Sequence, residues 1–213
     1  AAVLTDSKNT IKKVIFHPKM LPESVICDPT LTLDLPKTIT AGTGMDALAH
    51  CLEAYCSPGY HPMADGIALV GIKLVKENLL EAYNNGSNIT ARTNMLSAAL
   101  MGATAFQKGL GAMHALSHPL GAIYNTHHGT TNAVVMEKVL QFNKEIIQKK
   151  IDHLAIYLEL EGGCDGFIEF INQFCRDLNI PKSLKEMGVR EDQFHLISQM
   201  AIKDPTASGN PKK

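Results

Sequence analysis

The sequence has no excess of charge of either sign. Twenty lysine and arginine residues stand against twenty-one aspartate and glutamate residues, which gives a formal net charge of -1. A nearly neutral chain creates no long-range field that could gather a polyanion. Nucleic acids and anionic membranes are therefore poor partners for this protein.

Long apolar runs are missing as well. The run MLSAALMGATAF, from Met95 to Phe106, is well short of the roughly 20 residues that a membrane-spanning helix needs. The first residues, AAVLTDSKN, carry neither a basic region nor a following apolar run, so they do not form a secretory signal. The sequence predicts a cytoplasmic protein without a transmembrane segment.

Paired cysteines are also lacking. The five cysteines are Cys27, Cys51, Cys56, Cys164 and Cys175. Their number is odd, no CxxC motif occurs, and a chain of this length does not need disulfides to be stable. We interpret all five as small apolar residues of the core or the surface.

What is present is the composition of a soluble globular protein, with 45% hydrophobic and 19% charged residues. The 213 residues suit one large domain or two small ones. Near the start, three short β-rich runs, AVLT, KKVIF and SVIC, are separated by turn-forming residues and predict strands. These strands are too few to build a core of their own, so we expect residues upstream of Ala1 to complete their sheet.

After DPTLTLDLPKT the pattern becomes helical, with apolar residues at spacings of three and four. The predicted helices cover residues 43–56, 62–83, 88–107, 112–118, 131–142, 145–159, 165–177 and 191–203. The loops between them are rich in Gly, Pro, Asn or Ser. The last stretch, DPTASGNPKK, is turn-forming and follows no capped helix, so we expect that a further segment belongs after it.

Asp46 and His50 are four residues apart in TGMDALAHCLEAY. On a helix this spacing places both side chains on one face, about one turn apart, where they could grip a metal. The alternative is structural. Thr43 is a plausible helix cap, and a carboxylate early in a helix is favoured by the helix dipole whether or not a metal binds.

A denser group of histidines follows, with His114, His118, His127 and His128 within fifteen residues. Pro119 is expected to end or kink the helix that carries the first two, so that the chain can loop back with the others. A solvated histidine-rich loop is the alternative interpretation. The remaining histidines are interpreted as surface or satisfied core residues: His17, His61, His153 and His195.

Neutral imidazoles with a single carboxylate form a ligand set that suits Fe(II) or Zn(II), whereas calcium and magnesium prefer oxygen ligands. Three histidines and one aspartate would leave one coordination position open. An open position distinguishes a catalytic metal site from a structural one.

Two segments resemble the iron-containing alcohol dehydrogenase family, which shares the dehydroquinate synthase-like fold. They are AGTGMDALAHCLEAYCS and GLGAMHALSHPLGAIYNTHHGTTNAVVMEKVLQFN. They occur in the family's order and with its separation of fourteen positions between His114 and His128, and the resemblance runs from about Thr5 to the final GNP. It implies a mainly α fold, in which residues 37–213 form the all-α metal-binding domain. Residues 1–36 would then be what remains of an N-terminal α/β dinucleotide-binding domain.

The resemblance also implies a ligand set: Asp46 and His50 from one helix, His114 from a second helix, and His128 from the loop after it. His118 corresponds to a pocket histidine that lies near the metal without binding it. His127 stands where many members have proline, which makes it a possible rival of His128. We favour His128 because it directly precedes the glycine of the family's HG pair.

Lys12 in KKVIF aligns with a family lysine that contacts the dinucleotide, although Lys13 could serve instead. The family's GGGS loop and TTAGTGSE-like segment, on which the pyrophosphate rests, do not occur in this chain. The AGTG at residues 41–44 is only superficially similar, because it directly precedes the metal helix. We therefore expect the chain by itself to bind metal far better than cofactor, and to be inactive alone.

The activity that the resemblance implies is the reversible oxidation of a small alcohol to an aldehyde or ketone. It would require Fe(II) or Zn(II) and transfer a hydride to NAD or NADP, with His118 accepting the proton. The resemblance also implies a homo-oligomer. Two alternatives stay open: a zinc-dependent enzyme similar to glycerol dehydrogenase, and a non-catalytic helical metal-binding module, which the absence of the cofactor loops favours.

Overall fold

A computed structural model describes residues 2–6, 8–15 and 17–213, which form a short β-hairpin followed by a helical body. The elements are β1 (Ala2–Asp6), β2 (Ile11–Ile15), α1 (Lys37–Cys56), α2 (Pro62–Asn84), α3 (Ile89–Ala105), α4 (Ala112–Tyr124), α5 (His128–Tyr157), α6 (Gly163–Asp177) and α7 (Phe194–Lys203). Short 3-10 turns also occur, including Pro29–Thr32 before α1 and Pro205–Gly209 after α7. The predicted fold class, mainly α with a few preceding strands, is confirmed.

The hairpin pairs β1 with β2 in antiparallel register, with Ala2 opposite Ile15 and Asp6 opposite Ile11. The strands predicted from AVLT and KKVIF are thus confirmed, except that Phe16, the last residue of KKVIF, lies outside the described residues. The hairpin buries little apolar surface of its own, since even Val3 is 49% exposed. It lies against the helical body through contacts between β2 and α4.

The third predicted strand, SVIC at residues 24–27, is wrong. These residues have no regular structure, and Val25 and Ile26 are 60% and 91% exposed. β-branched residues favour a strand only where a partner strand and a packing surface are available. The described residues offer this segment neither of them.

Helix α1 is the centre of the helical body and is buried along most of its length, from Thr40 to Cys56. It packs against α2, α3 and α5. Small residues make this possible. Side chains on Gly42 and Gly44 would overlap the ring of His127 and the side chain of Leu79 respectively. The glycines therefore allow helices to approach α1 closely.

The structure corrects the start of this helix, which the sequence placed at residue 43. Helix α1 begins at Lys37, directly after Pro36. The predicted cap at Thr43 is wrong as well, because its hydroxyl donates to the carbonyl of Ile39 inside the helix. Asp46 thus lies in the middle of α1 and not in its first turn. The predicted start left Gly42 outside the helix. This glycine allows close packing against His127, which the local sequence pattern does not reveal.

Helix α4 was predicted to end at His118, but it continues through Pro119 to Tyr124. Asn125, in the left-handed conformation at φ 53°, ends it. A proline inside a helix removes one hydrogen bond and crowds the preceding turn. Packing of α4 against α5 and α7 holds the helix together despite that cost.

The two helices predicted at residues 131–142 and 145–159 are one continuous helix, α5. Its buried stripe runs without a break through Asn143, Ile147, Ile151 and Leu154. The helix also starts earlier than predicted, so His128 lies in its first turn rather than in the preceding loop.

The cysteines behave as predicted. All five are free, and Cys51, Cys56 and Cys164 are buried among apolar residues. Within the described ranges, no helix has both the length and the apolar character that crossing a membrane requires.

Candidate metal centre

Three side chains from three helices converge on one point: Asp46 of α1, His114 of α4 and His128 of α5. Oδ1 of Asp46 lies 3.8 Å from Nε2 of His114 and 3.6 Å from Nε2 of His128. One ligand atom from each residue lies within 4.8 Å of the others. Three of the four predicted ligands are therefore brought together.

A close contact between α1 and α5 places two of these residues side by side. A Cβ on Gly129 would overlap the carbonyl oxygen of Gly42 and would lie 2.9 Å from the Cβ of Asp46. Only glycine permits this approach, which brings the first turn of α5, with His128, against α1. The close approach of the two helices thus explains why a glycine, Gly129, follows His128 in the sequence.

His114 is oriented by a buried carboxylate. Its Nδ1 lies 2.7 Å from Oε2 of Glu53, and the other oxygen of Glu53 accepts the backbone N–H of Met113 at 2.7 Å. Because a carboxylate accepts, Nδ1 of His114 donates, and the lone pair of the neutral ring is on Nε2. That nitrogen is the one that faces Asp46.

His50, the fourth predicted ligand, adjoins this cluster but does not belong to the group of three. Its Nδ1 lies 3.9 Å from Oδ2 of Asp46. Its ring is stacked on that of His114 with centroids 4.6 Å apart, and Phe106 covers it from another side at 5.2 Å. His50 thus borders the converging group through its contacts with Asp46 and His114.

The surroundings set the protonation states of these groups. Desolvation by burial lowers the pKa of His50 and that of His128 to about 4 each, although Asp46 opposes it. Burial would raise the pKa of Asp46, but the surrounding imidazoles outweigh it and the pKa is lowered. Burial also opposes a charge on His114, but the hydrogen bond and the charge of Glu53 raise its pKa. At neutral pH Asp46 is ionised and His50 and His128 are neutral, which are the forms that bind metals.

These donors fit a divalent transition metal. A metal with bonds of about 2.0–2.1 Å keeps neighbouring ligand atoms roughly 3.0–3.4 Å apart, and the separations of 3.6 and 3.8 Å are close to that spacing. Oδ1 of Asn132, beside the donors, is the one buried side-chain polar atom without a hydrogen-bond partner in the described part of the chain. The nitrogen of the same amide offers two hydrogens to three acceptor atoms, those of Asp46, His114 and His128, so the centre holds an excess of acceptors that a cation would compensate.

His118 lies one turn after His114 on α4 and has a carboxylate of its own. Its Nδ1 lies 2.8 Å from Oδ2 of Asp204, and Oδ1 of Asp204 accepts from the backbone N–H and the hydroxyl of Thr206. Burial would raise the pKa of Asp204, but the hydrogen bond from His118 and those from Thr206 lower it. The His118 ring is stacked on that of His128 at 5.5 Å, so it borders the cluster without joining it.

His127, the possible rival of His128, does not face the cluster. Its Nδ1 accepts the backbone N–H of Thr130 at 3.3 Å and so caps α5. Its ring packs on Gly42 of α1. Of the two neighbouring histidines, it is His128 that approaches Asp46.

The other histidines have local partners or lie at the surface, as predicted. His17 and His61 cap short helical turns and α2, respectively. His153 bonds to the hydroxyl of Tyr55, and His195 is exposed on α7.

The two candidate lysines point in different directions. Lys12 donates to the hydroxyl of Thr5 at 2.6 Å, and its Cε lies beside Gly121 of α4. Lys13 pairs with Asp6 at 2.5 Å and its side chain is 57% exposed. Lys12 is therefore the lysine that faces the helical body.

Sequence reasoning missed three residues of this centre: Glu53, Asn132 and Asp204. Glu53 lies seven residues after Asp46, and Asn132 lies four after His128, so helical spacing places each on the same face as a predicted ligand. That spacing alone does not distinguish them from other polar residues of the two helices. Asp204 is 86 positions from His118, and no local pattern connects them.

The fold and the cluster define an all-α domain whose clustered aspartate and histidine side chains could hold a metal ion. Residues 40–213 match the family described as "Fe-containing alcohol dehydrogenase family, C-terminal". The chain belongs to the iron-containing alcohol dehydrogenase family and contains its C-terminal domain.

Individual relatives agree with this assignment. A 4-hydroxybutyrate dehydrogenase of Cupriavidus necator is 42% identical over 212 residues, which are 95% of this chain and 55% of the relative. The crystal structure of a 1,3-propanediol oxidoreductase matches with a TM-score of 0.94 and 36% identity, over 99% of this chain and 57% of that one.

The solved structure of a third relative contains a nicotinamide cofactor. Sulfoacetaldehyde reductase from Bifidobacterium kashiwanohense, in complex with NAD+, matches with a TM-score of 0.90 and 28% identity, over 99% of this chain and 56% of that one. This chain thus spans little more than half the length of the relatives that it matches.

Proposed function

We propose that this chain supplies the metal-binding half of a metal-dependent alcohol dehydrogenase that uses a nicotinamide cofactor. The observation that carries the proposal is the convergence of Asp46, His114 and His128 within 4.8 Å. Family membership and the dehydrogenase names of the relatives support it. Residues 37–213 would be the metal-binding domain, and the hairpin within residues 1–36 would belong to the cofactor domain.

The residues that would hold the metal are Asp46, His114 and His128, with His50 as the fourth ligand. We propose Fe(II), with Zn(II) as the alternative, since both accept imidazole and carboxylate ligands. When bound, such a cation supplies Lewis acidity, which makes the hydroxyl of an alcohol easier to deprotonate. Glu53 holds the Nδ1 proton of His114 and so keeps Nε2 directed into the centre.

His118 would accept the proton that the alcohol loses. With Nδ1 donating to Asp204, its Nε2 is the free acceptor, and the His128 ring beside it brings it to the border of the centre. Asp204 is held in place through Thr206 and stabilises the charge that His118 acquires. An imidazole supported in this way can act as a general base.

Lys12 would contact the dinucleotide. It extends from the hairpin toward Gly121 of α4, so its ammonium group lies between the N-terminal segment and the helical body. The NAD+ complex of the sulfoacetaldehyde reductase supports a nicotinamide cofactor. The names of two relatives, a 4-hydroxybutyrate and a 1,3-propanediol enzyme, support a small primary alcohol as substrate.

The test is an assay of the full-length protein with NAD and 1,3-propanediol, in which NADH formation is followed by absorbance. We expect activity that a chelator abolishes and that Fe(II) restores. His118→Ala should lower turnover by roughly 100-fold or more, as expected for the loss of a general base. His195→Ala, which changes an exposed histidine, is the matched control and should remain active. Activity that survives removal of all metal would overturn the proposal.

A further inference from the structure

The amide of Asn132 lies at the centre of the converging ligands. Its Nδ2 is 2.7 Å from Oδ1 of Asp46 and 3.3 Å from Nε2 of both His114 and His128. Asn132 is fully buried on α5, one turn after His128. A single NH2 group therefore stands within hydrogen-bonding distance of one ligand atom from each of three residues.

The orientation of this amide is fixed by chemistry. If the amide were turned over, its oxygen would face Oδ1 of Asp46 at the same short distance, and two acceptors would repel each other. In the orientation found, Oδ1 of Asn132 has no hydrogen-bond partner. Leaving a buried carbonyl unpaired costs about 1–3 kcal/mol. The amide nitrogen of Asn132 therefore faces hydrogen-bond acceptors, while the amide oxygen of the same side chain has no partner.

Another buried asparagine on the same helix shows the contrast. Asn143 exchanges hydrogen bonds with Asn210 in both directions, and its oxygen also accepts the backbone N–H of Lys212. Both ends of that amide are satisfied, as is usual for a buried polar group. Asn132 differs because its partners are the candidate metal ligands, which number three for two amide hydrogens.

We infer that Asn132 is a positioning residue of the metal centre. Its amide donates to the carboxylate of Asp46 and keeps that carboxylate turned toward the two imidazoles. Each imidazole has one lone pair on Nε2, which goes to the cation when one binds, so the amide then retains its hydrogen bond to Asp46 alone. Groups that orient metal ligands in this way typically change metal affinity by about 10–100-fold when they are removed. The inference rests on the proposed function, because it requires that these residues bind a metal.

The experiment measures Co(II) affinity by visible absorption in competition with a chelator, for the parent protein, Asn132→Ala and Asn143→Ala. Both substitutions delete a buried, hydrogen-bonded amide from α5, but only the first amide touches the ligands. We expect the parent to bind one Co(II), Asn132→Ala to bind it about 10–100-fold more weakly, and Asn143→Ala to bind it as the parent does.

A second variant keeps the test informative if Asn132→Ala folds poorly. Asn132→Asp has the same shape, but it replaces the donor with an oxygen that faces Asp46. We expect its metal-free thermal midpoint to fall below that of the parent, and added Co(II) to raise the midpoint by more than it does in the parent, since the cation relieves the repulsion between carboxylates.

The outcomes separate the two claims. If the parent binds no Co(II), the metal centre and the proposed function fail, and the role of Asn132 fails with them. If the parent binds one Co(II) but Asn132→Ala binds it as tightly as Asn143→Ala does, the role of Asn132 alone is overturned. The same follows if Co(II) stabilises Asn132→Asp no more than it stabilises the parent.

Discussion

Two histidines on α4, one turn apart, have the same kind of support and different surroundings. His114 donates from Nδ1 to the carboxylate of Glu53 at 2.7 Å, and His118 donates from Nδ1 to the carboxylate of Asp204 at 2.8 Å. In both pairs the carboxylate is buried and holds a second donor.

The two histidines differ in what their free nitrogens meet. Nε2 of His114 is 3.8 Å from Asp46 and belongs to the group that could hold a metal. His118 lies beside the group and outside it. A carboxylate–histidine pair thus fixes which nitrogen is free, while the neighbours of that nitrogen determine what it can bind.

The largest effect is expected from removing the carboxylate that supports His114. Glu53→Ala leaves the N–H of Met113 and Nδ1–H of His114 without partners in the core, and each such loss costs about 1–3 kcal/mol. We expect the free energy of unfolding to fall by roughly 2–6 kcal/mol, and metal affinity to fall as well. Denaturant unfolding and Co(II) titration measure the two. Glu53→Gln, which retains one acceptor, should lose less, and equal losses would contradict this account.

The corresponding change in the second pair should affect turnover and not the metal. Asp204→Asn leaves His118 in place but removes the charge that stabilises its protonated form. We expect turnover of the full-length protein to fall by about 100-fold and metal content to stay unchanged. Loss of metal from Asp204→Asn would show that the two pairs do not have separate roles.

The pH dependence of stability tests the lowered pKa of His50, whose ring is stacked on that of His114. His50 has a folded pKa of about 4 against an ordinary value of 6.5. Between these values the unfolded chain binds more protons, so the free energy of unfolding falls as the pH is lowered through this window. We expect the thermal midpoint of the metal-free protein to decrease from pH 6.5 to pH 4, and His50→Gln to weaken that decrease. A midpoint that depends equally on pH in both proteins would contradict the assignment.

The smallest effect is expected at His127, next to His128. His127→Ala removes a helix cap and should lower the free energy of unfolding by about 0.5–2 kcal/mol, with metal content unchanged. Thermal unfolding and elemental analysis measure both quantities. If His127→Ala released the metal, the choice between the two neighbouring histidines would have to be reversed.

The sequence predicted α2 and α6 to within a few residues, because their apolar spacing is regular and Gly, Pro or Asn lies at their ends. It failed for α1, where Gly42 and Gly44 are required by packing and not by a loop. It also divided α5 in two. In each case long-range contacts overrode a local signal.

The residues of the candidate site also differ in whether the sequence reveals them. Asp46, His114 and His128 were found from motifs that helical spacing and resemblance make visible. Glu53 and Asn132 lie at helical spacing from these residues, yet nothing local distinguishes them from other polar residues of α1 and α5. Asp204 reaches His118 only because α7 packs on α4, which no local pattern could show.

The most direct test of the metal centre is the metal content of protein purified without chelator. Elemental analysis would compare the parent with Asp46→Ala, His114→Ala, His128→Ala and the surface control His195→Ala. We predict about one equivalent of iron or zinc in the parent and in the control, and little in the other three. A parent without metal, or metal that persists in the three ligand variants, would contradict the assignment of the centre.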